Sequence, residues 1–360
     1  MQIATTASLP SSPVLRGLSA LALAALVIAV LTAAPIVSVW ANLFAGGTGD
    51  TWSHLVATVL PEYVLNTLWL CLGVGCGVIV VGVSTAWLVT VHDCPGRQVF
   101  EWALVLPLAV PAYVMAYTYT DLLQYVGPVQ SGLRESFGWQ KGDYWFPDVR
   151  TLGGAVAMFI FVLYPYVYLL ARTAFLERAS GMLEVGRSLG LGAWGSFFRI
   201  SLPLARPAIA AGATLALMET LADYGTVAYF SVQTFTTGIY RAWFSLGDRA
   251  AAAQLSAALL GFVVLVLLLE RISRGRARFH NTTGRNRPHP GRRLYGFRAA
   301  AAMLACLLPL LLGFVLPAGL LLNMALSEGD AQFGPRFAQL AGNSFTLAAL
   351  TALLAVGFAV

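Results

Sequence analysis

Charge is what this sequence has least of. Asp, Glu, Lys and Arg together make up 11% of its 360 residues while apolar residues make up 58%, and the mean hydropathy is +0.74. A soluble domain carries about 25% charged residues, so a water-facing globule is excluded. Cysteine is nearly as scarce: Cys71, Cys76, Cys94 and Cys306 form no CxxC pair, which excludes a disulfide framework and a zinc ribbon and leaves packing as their role. The chain has four histidines, no two at ligand spacing. It contains neither a GxxxxGK[ST] phosphate loop nor a nucleophile elbow, so nothing marks it as an enzyme or as a cofactor or metal carrier. A membrane-embedded enzyme or scaffold would have to be built on Glu219, Asp223 and His54 or His92.

What is there is long apolar sequence. Stretches without Asp, Glu, Lys or Arg run over 17–49, 63–91, 102–120, 151–171, 250–269, 299–327 and 337–360, each near or above the roughly 20 residues that cross a hydrocarbon core. A further span, 207–231, is interrupted only by Glu219 and Asp223. The expectation is an all-α, polytopic transmembrane bundle of about eight spans. The first run is longer than the roughly 7–15 apolar residues of a signal peptide and is therefore read as a span. Net charge is +6, yet the basic residues sort by loop instead of forming a nucleic-acid-binding face. With a cytoplasmic amino terminus, Arg16, Arg97, Arg172, Arg178, Arg187, Arg199 and Arg206 join nine arginines between Arg271 and Arg298 on the inside, sixteen in all. Only six basic residues fall outside. The positive-inside rule fixes that orientation.

The chain also echoes itself. Arg16 precedes Pro35 by nineteen residues as Arg298 precedes Pro317, and Asn66-Thr67-Leu68 opens one span as Asn343-Ser344-Phe345 opens another. Between the copies lies a basic, Gly- and Pro-bearing segment. The reading is a first unit of six spans over 1–271, a cytoplasmic linker over 272–297, and over 298–360 the start of a second unit, cut off inside a helix. A parallel repeat would set a pathway between the halves.

Two groups of residues point to function. The first is the spacing Glu184-Val185-Gly186, Gly190, Ile200-Ser201-Leu202-Pro203, within a polar connection over 177–206. Gly190 permits a sharp bend between two short helices, and Pro203 is expected to close the second and begin the next element. Met182, Leu183, Leu189, Trp194, Phe197 and Phe198 on such a knob, with Glu184, Arg187 and Arg199 between them, suit a groove on a soluble partner. The second group is polar sequence inside spans. Glu219 and Asp223 stand four apart, which places them on one helical face, and Asp121 and Tyr117 lie toward the outer end of the third span. Intramembrane carboxylates face a bundle interior or wet cavity, and with phenols they form a hard-oxygen path. Gly73 and Gly77 allow a close helix contact.

The 184–203 spacing resembles, position for position, the cytoplasmic coupling loop of permease subunits in binding-protein-dependent ABC importers of type I; Val185 and Gly186 depart from the two alanines of that pattern. Leu106–Tyr113, Leu163–Tyr168 and above all Glu219-Thr220-Leu221-Ala222-Asp223-Tyr224-Gly225-Thr226 resemble permeases for iron(III). The resemblance implies a bacterial inner-membrane protein that forms a translocation path and performs no chemistry itself. It further implies an ABC ATPase dimer docking at Glu184, Val185, Gly186, Gly190, Ile200, Leu202 and Pro203, and a periplasmic binding protein delivering ferric iron. Thiamine, sulfate, molybdate and polyamine permeases share the loop, so those cargoes are the alternatives.

Overall fold

A computed structural model describes residues 20–41, 54, 56–140, 142–188, 190–274, 292–327 and 334–359. The first helices are α1 (Ala20–Ala41) and α2 (Leu60–Val91). A two-residue strand, β1 (His92–Asp93), leads to α3 (Arg97–Ala103), a 3-10 turn (Leu106–Ala109), α4 (Ala112–Leu123) and α5 (Pro128–Phe137). The long α6 (Leu152–Ser188) is followed by a helical turn (Ala193–Ser196), a π turn (Phe197–Ser201) and α7 (Leu202–Ala222). Short helices α8 (Gly225–Tyr229) and α9 (Phe235–Tyr240) precede α10 (Arg249–Arg274). After β2 (Arg292–Arg293) come α11 (Phe297–Leu310), a π turn (Leu311–Val315), α12 (Leu316–Ser327) and α13 (Pro335–Ala359).

Among the described residues, seven helical stretches are long and apolar enough to cross a membrane, or eight if a pair bent by 90° counts as one span. The fold is thus the expected helical membrane bundle, with one difference. The third apolar stretch is the bent pair, Arg97–Ala109 with Ala112–Phe137. Val110 is extended (φ −105°, ψ 114°), as a residue preceding proline prefers, and Pro111 then starts a new helix.

Helices α2, α6 and α7 form the core, and small residues set how closely they pack. A Cβ on Gly82 of α2 would lie 2.7 Å from Val167 Cβ and 2.9 Å from the Tyr164 carbonyl, while one on Gly212 of α7 would lie 2.8 Å from Val167 Cα. Two neighbours therefore grip one turn of α6 at backbone contact, the arrangement that dispersion favours between helices in lipid. The Gly73–Gly77 pair meets α6 as well, through Val156 and Ile160. Tyr164, Val167 and Tyr168 are fully buried in this grip.

Proline shapes the remaining contacts. Leu316 N–H bonds Leu311 O, and in that register the Leu312 carbonyl would need a donor from Pro317, which has none. Tyr119 of α4 supplies it, donating from Oη to Leu312 O at 2.6 Å. Pro165 likewise deprives Phe161 O of its helical donor, and Gly313 covers that oxygen so closely that a Cβ would sit 2.5 Å away. The helix following the basic segment is in this way seated against α4 and α6. The strands make one two-residue parallel pairing, His92 opposite Arg292 and Asp93 opposite Arg293. An ion pair between Arg293 Nε and Asp93 Oδ2 at 3.4 Å and a Leu294 N–H bond to Asp93 O at 3.1 Å complete this clasp.

Candidate functional site

Helix α6 runs well beyond its charge-free stretch, which ends at Ala171, and carries the backbone of Glu184, Val185 and Gly186 in its last turns. The side chains of residues 178–189, with those readings that depend on them, lie outside the described set. Gly190 then reverses the chain with φ +80°. Among the described residues no atom lies within 4 Å of where its Cβ would be, and the positive φ is a backbone requirement for glycine.

The return arm differs from expectation. Pro203 does not close a separate short helix. Helical structure continues from Trp194 to Ala222, and the proline is absorbed by the π turn before it, where Leu202 N–H bonds Phe197 O. Widening the turn relieves the clash between the proline ring and the preceding carbonyl. The arm therefore joins α7 as one rod, and a push on the arm reaches the core without a hinge at position 203.

Aromatic rings fasten this rod. The Phe197 ring lies 4.9 Å from that of Trp87 on α2, and Trp87 meets Phe175 of α6 edge-on at 5.4 Å. Leu202 packs on the core and Ile200 is half-buried, whereas Pro203 is exposed. Trp194 and Phe198 stack at 5.9 Å, each also meeting the Phe197 ring, and remain 73% and 58% exposed. The arm is anchored through Phe197 and presents a largely bare aromatic pair beside that anchor. Nearby, Glu101 of α3 bonds both Arg97 and Arg172 at 3.2 Å, and Tyr168 Oη donates to Glu101 O at 2.9 Å, tying α3 to α6 beneath the bend.

At the other end of the bundle the polar residues fall into two groups. Glu219 is exposed on α7, with the Tyr166 side chain of α6 beside its carboxylate. Asp223 is the C-terminal cap of α7: its N–H bonds Glu219 O at 3.0 Å and its φ of −73° is helical, so its side chain stays on the Glu219 side of the helix, while ψ 129° turns the following chain away. Its Oδ1 accepts the Thr226 N–H at 2.7 Å and its carbonyl accepts Thr236 Oγ1 at 2.9 Å, so it organises the start of α8. Helix α8 faces α4: Tyr117, 42% exposed, meets Tyr229 edge-on at 6.2 Å, and Gly225 leaves room for Tyr113. Asp121 is half-buried one turn beyond Tyr117. The contacts thus bring Tyr117 to the helix that Asp223 caps, and tie Glu219 to Tyr166, a partner that sequence spacing did not single out. Among the described residues no cluster of three His, Cys, Asp or Glu side chains could hold a metal ion.

Comparison with known proteins gives these features a context. A family profile described as "Binding-protein-dependent transport system inner membrane component" matches residues 78–278, more than half of the chain. The chain is 28% identical over 308 residues to the Fe(3+)-transport system permease protein FbpB 2 of Haemophilus influenzae, covering 82% of this chain and 55% of that protein. It is 30% identical over 207 residues to the molybdenum transport system permease protein ModB of Escherichia coli K12, covering 54% of this chain and 87% of that protein. A probable sulfate transport system permease protein, cysT of Chlorokybus atmophyticus, is 32% identical over 146 residues, with 41% of this chain and 48% of that protein covered. The chain thus spans about half the length of the iron and sulfate relatives. A crystal structure of a bacterial alginate ABC transporter, in complex with an alginate pentasaccharide-bound periplasmic protein, superposes with a TM-score of 0.53 at 16% identity, covering 72% of this chain and 94% of that one. That likeness is one of fold.

Proposed function

Because the chain belongs to the family of inner membrane components of binding-protein-dependent transport systems, we propose that it is a permease of an ABC importer whose bend at Gly190 receives force from a separate ATPase dimer. One observation carries the reading: a glycine-dependent reversal holds an exposed Trp194–Phe198 pair on a rod that is rooted, through Phe197 and Trp87, in the three-helix core. A load applied to the aromatic pair is delivered to α7, and α7 carries Glu219. The distribution of arginines puts this end in the cytoplasm, with the amino terminus on the same side.

Residues 1–271 then form a first unit, 272–297 a cytoplasmic linker and 298–360 the beginning of a second unit, with the path between units. Glu219, Asp223, Asp121 and Tyr117 line it from this side, and a periplasmic binding protein delivers solute to the end where α8 meets α4. Carboxylates and phenols favour a hard cation and repel an oxyanion. Ferric iron is accordingly the proposed cargo, a reading supported by the iron relative. The molybdenum relative, covered over most of its length, favours an oxyanion as the second reading.

Uptake in cells carrying the whole transporter separates the two. Glu219→Gln with Asp223→Asn removes both charges, while the amide introduced by the second change keeps an oxygen to cap α8. Loss of ferric uptake, with molybdate and sulfate uptake absent throughout, is the expected result. Undiminished ferric uptake in the double variant removes the carboxylates from the path, and molybdate uptake assigns the oxyanion cargo.

A further inference from the structure

A cavity of about 1000 Å³ opens beside the clasp, and of its lining the transport reading uses only Trp87 and Trp194. Its walls come from three places: Trp87 and Leu88 in the last turns of α2, Trp194 on the return arm, and the stretch from Arg293 to Ala302 that leads into α11. Helix α2 ends at Val91 and α11 begins at Phe297, so the cavity straddles the level at which two spans leave the hydrocarbon. Its chemistry changes across that level. Leu88, Ala301 and Ala302 are apolar and lie on the spans, and Arg293 and Arg298 line the same cavity. Asp93, paired with Arg293, is the one carboxylate in contact with them among the described residues, which leaves a surplus of positive charge. Around the mouth Tyr295 and Phe297 are 74% and 87% exposed, the amphipathic aromatic rim that sits at headgroup depth.

We propose that this cavity binds an anionic phospholipid, its phosphodiester against Arg298 and Arg293 and an acyl chain along Leu88, Ala301 and Ala302. The choice of a lipid over a free phosphate follows from the apolar wall, which continues into the membrane-spanning faces of α2 and α11; a soluble anion would leave that wall uncovered. Basic pockets between helices on the cytoplasmic side bind acidic headgroups for the same reason. The assignment to the inner leaflet rests on the orientation proposed above, whereas the site itself does not depend on transport.

The test is retention of lipid by the purified 360-residue chain in neutral detergent, measured by native mass spectrometry with phosphatidylglycerol, phosphatidylcholine and inorganic phosphate as probes. Phosphatidylglycerol is expected to bind at one tight site and phosphatidylcholine at least about fivefold more weakly, as loss of a single arginine–headgroup attraction of about 1 kcal/mol implies. Arg298→Gln is expected to weaken phosphatidylglycerol by a similar factor, and Ala301→Phe, which fills the cavity from an exposed position, to weaken both lipids. Arg249→Gln, far from the cavity, serves as the control, and the elution volume of each variant reports folding. If Arg298→Gln aggregates, Ala301→Phe decides. Equal retention of the two lipids, phosphatidylglycerol binding unchanged by Ala301→Phe, or full displacement by inorganic phosphate would overturn the proposal.

Discussion

Replacing Gly190 separates a backbone requirement from a steric one. The residue has φ +80° and, among the described residues, open space around its missing side chain, so an alanine there meets no described neighbour. It meets only the left-handed penalty, about 1–2 kcal/mol for an ordinary L-residue. A penalty of that size shifts the equilibrium between bent and unbent connections by about 5–30-fold, and the affinity of a purified ATPase subunit for detergent-solubilised permease should fall by no more than that in Gly190→Ala. Gly190→Asn should lose less, since asparagine tolerates this region. Gly190→Pro fixes φ near −65° and cannot form the bend, so docking should vanish while membrane insertion, which depends on spans elsewhere, is retained. Binding by the proline variant at wild-type strength would show that docking does not need the reversal at all. Equal losses in the alanine and asparagine variants would show that side-chain bulk, and not backbone angle, is what the site excludes.

Other perturbations test the packing beneath the bend. Gly82→Leu has no room against Val167 and the Tyr164 carbonyl and should cost about 1–3 kcal/mol or more, read as a lower thermal midpoint in detergent. Trp87→Ala removes the ring shared by Phe175 and Phe197; a loss of about 3–5 kcal/mol and protease sensitivity near residue 197 are expected. Tyr119→Phe deprives the Leu312 carbonyl of its donor and should cost about 0.6 kcal/mol, near the average for hydrogen bonds between membrane helices, with the midpoint lowered only slightly.

Local features were legible in the sequence, and features made by distant residues were not. Apolar run length announced the spans, and Gly190, at its fixed spacing within a polar connection, announced the bend, because each is a property of a few consecutive residues. The break at Val110–Pro111 was written in the prolines, yet counting apolar length alone read through it. The four-residue spacing of Glu219 and Asp223 held to the last helical bond, but that α7 stops there, with Asp223 accepting from Thr226 N–H, was not legible from the spacing. Pro203 was read as a terminator, whereas a π turn lets the helix pass. The clasp of His92–Asp93 with Arg292–Arg293 and the contact of Tyr166 with Glu219 join segments far apart in the chain, and no local pattern encodes such a meeting.

In the proposed coupling, force enters at the exposed aromatic pair on the return arm. The direct measurement is the dissociation constant between the ATPase subunit and a permease carrying Trp194→Ala with Phe198→Ala, compared with wild type in the same lipid nanodiscs. Both side chains are largely exposed, so the bundle should fold unchanged, and loss of a central aromatic contact worth at least about 2 kcal/mol should weaken docking by about 30-fold or more. An unchanged dissociation constant in the folded double variant would mean that force does not enter the membrane bundle through this bend.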